Sequence, residues 1–248
     1  MHFLDPNGTL PGSGREACSR CFGRPTKWGI DEAHRGPWKL ANNPLAWGSM
    51  NPVNLVLGFS KGERQAAEIK SAVHHSIPFR GFRPLLQRTL CHLGLLDSSK
   101  SLDALIEHDD ADWAFGSMTR CTISLWDQSS ELFRKSGTVI KKFSKNGPHD
   151  WMSTCVDEHL RLLPSRLRNV VLLSNDDDYV ERCYSTIRAI HPETKRINSV
   201  AYKTGQVTWG HVVHVGGPGR NHINNWFSGA PGSQGEKMRA VRDAFART

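Results

Sequence analysis

Six cysteines, a strand-end histidine and a few loop aromatics carry the chemistry this sequence can offer. Cys18 and Cys21 stand in ACSRCFG as a CxxC pair, a spacing at which two thiolates can share one metal. Two further cysteines, Cys121 and Cys155, lie in the body of the chain, the first where the run AFGSMTR ends and the second at the head of CVDEHLRLL. A CxxC pair that shares a metal with distant cysteines would pin an irregular arm to a folded body. Taken by residue type alone, the four bind structural zinc or nothing. Cys91 and Cys183 fall at apolar positions of helical stretches and read as core. His214 ends the run TWGHVVH, where an imidazole either stabilises a developing anion or is satisfied by backbone. Phe79 sits in the basic aromatic loop PFRGFR, and Arg220, Asn221 and His222 sit in a Gly/Pro-rich loop suited to phosphate contact or to plain solvation.

The elements that must position these residues follow from periodicity. NPVNLVLGFSKGE reads as a strand, a tight loop and the start of a helix, which puts Gly58, Phe59, Ser60 and Lys61 at the carboxyl end of a strand. Open α/β sheets bind ligands at such ends. A helix is expected from Pro84 to about Leu95, then a short polar helix around Leu102 to Ile106. Trp113 to Thr119 make a second strand, NVVLLS a third and TWGHVVHVGG a fourth, with amphipathic helices between and after them. The expected fold is therefore α/β, a three-layer α/β/α sandwich around a four-stranded, mostly parallel sheet. Residues 1–50 read as an irregular arm, because Pro6, Gly8, Pro11, Gly12 and Gly14 interrupt every period. The stretch from Thr122 to Asp150 reads as a surface excursion.

Composition sets the limits. The 248 residues suffice for one α/β domain, 1–248, and the 38% hydrophobic and 23% charged content is that of a folded chain. The net charge of +8 favours polyanionic partners such as nucleic acid. No stretch reads as a secretory leader, and no apolar run approaches the roughly 20 residues of a membrane span. A cytoplasmic or nucleoid protein is expected, without membrane contact and as a monomer, with its cysteines in metal sites or buried as thiols.

In this order the pieces resemble the uracil-DNA glycosylase superfamily, specifically its iron–sulfur-containing branch, over most of the chain. NLVLGFSKG stands at the place of motif A. IPFRGFRPLLQRTLCHLGL is similar to the PFxGxxGxLL segment, which makes Phe79 the ring that stacks on a flipped base. The strand ending in Arg120-Cys121, and Cys155 ahead of VDEHLRLLPSRLRNVVLLS, match two further landmarks. HVGGPGRNHINNWFSG resembles motif B, with His214, Pro218, Arg220 and Asn221 as the matching residues.

The resemblance implies a base-excision repair enzyme that releases uracil from single- or double-stranded DNA and leaves an abasic site. It implies base flipping, with His214 stabilising the leaving base and Gly58, Phe59, Phe79, Ser117 and Asn175 forming the base pocket. It implies DNA contacts from Lys61, Arg220, Asn221 and His222. It also makes Cys18, Cys21, Cys121 and Cys155 the ligands of a 4Fe-4S cluster. Three departures stand against this pattern. The 33 residues between Cys121 and Cys155 exceed the family's usual gap. GFSKG lacks the water-positioning carboxylate or amide of motif A, leaving backbone, Ser60, Glu63, His74 or His75 for that role. Ser117 replaces the uracil-reading asparagine, so Asn175 is the alternative reader. The rival expectation is a non-catalytic or very slow binder of uracil-containing or abasic DNA.

Overall fold

The computed structural model describes residues 8–136, 138–216 and 222–247. The apolar bursts seen in the sequence form strands β5 (Asn54–Gly58), β6 (Trp113–Ser117), β9 (Asn169–Leu173) and β12 (Val207–Val212). They lie side by side in the order β6-β5-β9-β12, and every neighbouring pair is parallel. Their side chains alternate between two cores, as a pleated strand buried on both faces requires. Leu55, Leu57, Ala114, Val170 and Leu172 enter one core. Val56, Phe115, Val171, Leu173 and Val212 enter the other.

Helices α4 (Val139–Asn146), α5 (His149–Leu160) and α6 (Asp177–Ile190) cover the first face. Helices α2 (Arg83–His92), α3 (Leu102–Glu107), α7 (Ile223–Ser228) and α8 (Ser233–Ala246) cover the second, and the short α1 (Glu63–Glu68) follows β5. Local chemistry sets the helix starts: Pro84 occupies the first turn of α2, and the Asp176 carboxylate accepts the Tyr179 N–H at the head of α6. Gly210 lets α8 approach β12, since a β-carbon there would lie 2.5 Å from the Phe245 ring.

The sheet is larger than the four strands expected. Strands β4 (Leu45–Gly48) and β1 (Gly14–Arg15) extend it beyond β6, and β11 (Ala201–Thr204) and β10 (Lys195–Asn198) extend it beyond β12, giving eight strands with antiparallel edges. A second sheet, β2-β3-β7-β8, is antiparallel throughout and is built from β2 (Glu32–Arg35), β3 (Trp38–Ala41), β7 (Thr122–Asp127) and β8 (Leu132–Arg134). The arm is therefore not irregular. It contributes strands to both sheets, and all four residues of β4 are buried. Nor is Thr122 to Asp150 a surface excursion, because Thr122 to Leu125 are buried and Phe143 of α4 is fully enclosed. The arm's strands span two to four residues, too few alternations for a period to show, and the Gly and Pro between them mark turns rather than disorder. Among the described residues no helix is long and apolar enough to cross a membrane.

Candidate functional site

The carboxyl ends of the four parallel strands form one edge, and chain order reverses there between β5 and β9, the crevice position of open α/β sheets. Gly58 and Ser117 are paired across β5 and β6, and both are half-buried on this edge. Ser174, Asn175 and Asp176 follow β9, and His214 follows β12 by two residues.

His214 is half-buried, and its Nδ1 is held by Gly216. The Gly216 N–H lies 3.0 Å from Nδ1 and the Gly216 carbonyl oxygen 2.5 Å from it, two contacts that call for opposite tautomers. With Nδ1 as acceptor the proton sits on Nε2, and with Nδ1 as donor Nε2 is left as an acceptor. Burial holds the imidazole below its usual pKa, so at neutral pH the ring is uncharged.

Phe79 adopts a left-handed backbone, φ +55°, a conformation that strains a bulky residue. Its ring is partly buried, edge-on to Phe115 at 6.1 Å. The Phe79 carbonyl accepts the Phe82 N–H, and this turn carries Phe82 to the strand end. There the Phe82 ring lies against Gly216, so close that a β-carbon on Gly216 would sit 2.7 Å from it, and it remains 38% exposed. The open aromatic face beside His214 is thus Phe82. Phe82 stands in the same loop as Phe79, but only the turn shows which ring reaches the edge.

Other expected site residues are occupied elsewhere. Phe59 points into the first core against Phe143 and Tyr179, with ring centroids 4.8 and 6.0 Å away, and so is not a pocket wall. The Ser60 hydroxyl accepts the Ile123 N–H at 2.8 Å and donates to the Cys121 carbonyl at 3.3 Å, tying the β5 loop to β7. Glu63 accepts from the Lys135 backbone and ammonium. His74 stacks on Trp47, and its Nε2 lies 3.1 Å from the Ala46 carbonyl, while His75 Nδ1 lies 2.9 Å from the Ile106 carbonyl. The Asn175 amide donates to Gln234 at 2.8 Å. His222 is exposed just before α7, and Arg220 and Asn221, with Pro218, lie outside the described residues. Sequence reasoning passed over Asp176, whose position just past a buried strand is the signal for it. It brings a carboxylate to the crevice edge.

The structure does bring the four named cysteines together. Cys18, Cys21, Cys121 and Cys155 line one small cavity of about 10 Å³ with Arg120 and His159. Cys18 and Cys21 come from the turn around Arg20–Phe22, Cys121 from the junction of β6 and β7, and Cys155 from α5. The Cys21 thiol faces the Trp151 carbonyl at 3.7 Å, and the Arg120 N–H donates to the Cys155 sulfur at 3.2 Å. Burial pushes Cys121 up to about 11 and Cys21 up to about 12, and it raises Cys18 and Cys155 as well. Left to themselves these are thiols at neutral pH. Among the described residues no three His, Cys, Asp or Glu side chains are drawn tightly enough to grip one ion.

Beside the cysteines lies a set of buried charges. Lys61, expected on the surface, is fully enclosed, and its ammonium donates to the Arg120 carbonyl. Burial pushes its pKa down to about 8, against the pull of Cys121, Glu16 and Cys155. The Arg120 guanidinium pairs with Glu16 at 2.6 Å, and His159 lies 3.5 Å from the second Glu16 oxygen. Two cations thus face one carboxylate and four thiols, so the donor set suits a group that binds as thiolate. No protein-family model matches the chain, and no curated protein matches it at a meaningful level of similarity.

Proposed function

We propose that this chain is a DNA glycosylase of the uracil-DNA glycosylase type, hydrolysing the N-glycosidic bond of deoxyuridine in DNA. The observation that carries the reading is the convergence of His214, Ser117, Gly58 and Phe82 on the switch-point edge of a parallel sheet, backed by the four-cysteine cavity. On this reading the central strands with helices on both faces are a three-layer α/β/α sandwich.

The flipped uracil enters the crevice, where the Phe82 ring supplies a π-face and the Phe79 turn sets its angle. Neutral His214 donates from Nε2 to a uracil carbonyl oxygen as negative charge collects on the leaving base. Ser117 offers a hydroxyl to the base edge. Asp176 takes the water-holding role that motif A leaves vacant, since Ser60, Glu63, His74 and His75 are all engaged elsewhere. Arg220, Asn221 and His222 are assigned to DNA contact by motif alone.

Cys18, Cys21, Cys121 and Cys155 would hold a 4Fe-4S cluster, which would tie the amino-terminal arm to the body of the protein. A zinc ion would need the four sulfurs within about 2.3 Å of one point, whereas a cluster takes them farther apart around its corners. Lys61 and Arg120 offset the charge of the four thiolates.

The test is uracil release from a labelled oligonucleotide. Wild type is expected to cut. His214→Ala should lose about 10²- to 10³-fold in rate, the size of a lost oxyanion donor. Asp176→Asn should lose activity without losing stability, because asparagine caps a helix as well as aspartate does. The second reading, a damage binder without catalysis, is favoured by the engagement of all four expected water-holding groups. Specific retention of uracil-containing or abasic DNA by wild type, with no release, would select it.

A further inference from the structure

The second sheet carries a feature that the crevice does not use. A groove of about 790 Å³ runs between the β2–β3 turn, the end of β7 and the last turns of α4. Arg35 stands on one wall, Lys142 and Lys145 stand on the other, and none of the ten lining residues is acidic. Buried Trp38 and Leu125 form the floor. Trp126, 42% exposed, presents an indole at the edge. Its ring is fixed edge-on against Phe133 at 5.1 Å, and the Lys39 ammonium lies 4.4 Å over the Phe133 ring.

Helix-dipole compensation accounts for lysines at the end of α4. It does not account for an arginine on the facing wall or for an exposed indole between them. The ion pairs present are weak ones. Arg35–Asp150 at 2.7 Å and Lys145–Asp178 at 3.4 Å are half exposed, so phosphates can replace the carboxylates at little cost. Among the described residues no carboxylate pairs with Lys142.

We propose that this groove is a track for single-stranded DNA, with Trp126 as a base-stacking platform and Arg35, Lys142 and Lys145 as phosphate contacts. Cations flanking an aromatic face are what single strands require, because their bases are free to stack on protein. A duplex keeps its bases stacked inside and would leave the indole unused. An acidic peptide would use the lysines and not the ring. The choice of DNA rests on the glycosylase reading. Trp38 in the floor packs on Phe143 at 5.6 Å, which anchors the groove in the first core.

The experiment is fluorescence anisotropy of a labelled oligothymidylate with the full chain at several salt concentrations. This probe contains no uracil, so binding is read whether or not the protein cleaves. Trp126→Ala is expected to weaken binding roughly tenfold, and Trp126→Phe to keep most of it. Lys142→Glu with Lys145→Glu should weaken binding further and shrink the salt slope by about 1.4, the share of two single-strand phosphate contacts. All the substituted side chains are exposed, and unchanged thermal midpoints check that the variants fold. Wild-type affinity in Trp126→Ala, equal competition by poly-glutamate, or equal affinity for a duplex of the same length would overturn the proposal. Tighter binding of oligouridylate RNA would overturn the assignment to DNA.

Discussion

A lysine in GFSKG reads as a surface cation, yet Lys61 is enclosed near Cys121 and Cys155 and bonded to a backbone carbonyl. Residue type in a glycine-bounded loop says little about which way a side chain turns. The cysteines were legible because thiols at CxxC spacing have few alternative uses. Lys61, Ser60 and Phe59 were misread because their places depend on β7 and α4, which the sequence did not display as elements. The buried ammonium has a testable consequence. In the metal-free chain the neighbouring thiols are protonated and Glu16 is paired with Arg120, so burial works against the ammonium. A loaded chain would instead set the Cys121 and Cys155 thiolates beside it. Lys61→Met should therefore leave the unfolding midpoint of the metal-free chain unchanged or raise it, in keeping with the high desolvation cost of buried charge. The same substitution should lower iron and sulfide per chain after reconstitution, while Lys61→Arg retains more of both. Equal iron and sulfide in wild type and Lys61→Met would remove the counter-charge role, and zinc without iron would remove the cluster.

Among the elements, the parallel strands declared themselves and the antiparallel ones did not, for a physical reason. β5, β9 and β12 are buried on both faces, so they read as unbroken apolar runs. β10 has no buried residue, and β1 and β8 span only two and three residues, too short for alternation to register. Gly210 is a similar case, for a glycine inside an apparent strand signals close approach without naming the partner. The partner is α8, through Phe245 and Val241, both within 3 Å of where a β-carbon would stand. Gly210→Ala should push α8 off the sheet and destabilise the fold by about 1–3 kcal/mol, as overpacking does. Urea unfolding midpoints measure it. A shift below a few tenths of a kcal/mol would mean that α8 is held elsewhere.

The whole molecule carries +8, but its pH dependence is set by the groups it buries neutral. His211 is fully enclosed, with Nδ1 2.8 Å from the Ser174 carbonyl, and burial pushes it down to about 3. The unfolded chain takes up a proton near pH 6.5 that the folded chain refuses until about pH 3. Stability is therefore complete above pH 6.5 and drains as pH falls, at about 1.4 kcal/mol per pH unit for each such histidine. His159, pushed down to about 2 by burial and Arg120, adds to the same loss. On the alkaline side the thiols act in the opposite sense. Cys21, Cys121 and Cys183 keep their protons to about 12, 11 and 12, while unfolded thiols ionise near 9, so stability falls as pH rises above 9. Lys61 opposes this between about 8 and 10.5, but one amine is outnumbered by these thiols together with Cys155. The metal-free, reduced chain should thus show a plateau from about pH 6.5 to 9 with a fall on each side. Guanidinium midpoints across pH 4.5–10 test this, and His211→Gln should reduce the slope of the acid limb by about 1.4 kcal/mol per pH unit while leaving the alkaline limb in place. An acid limb unchanged in His211→Gln would assign it to surface charge repulsion in a cationic protein, and not to buried imidazole.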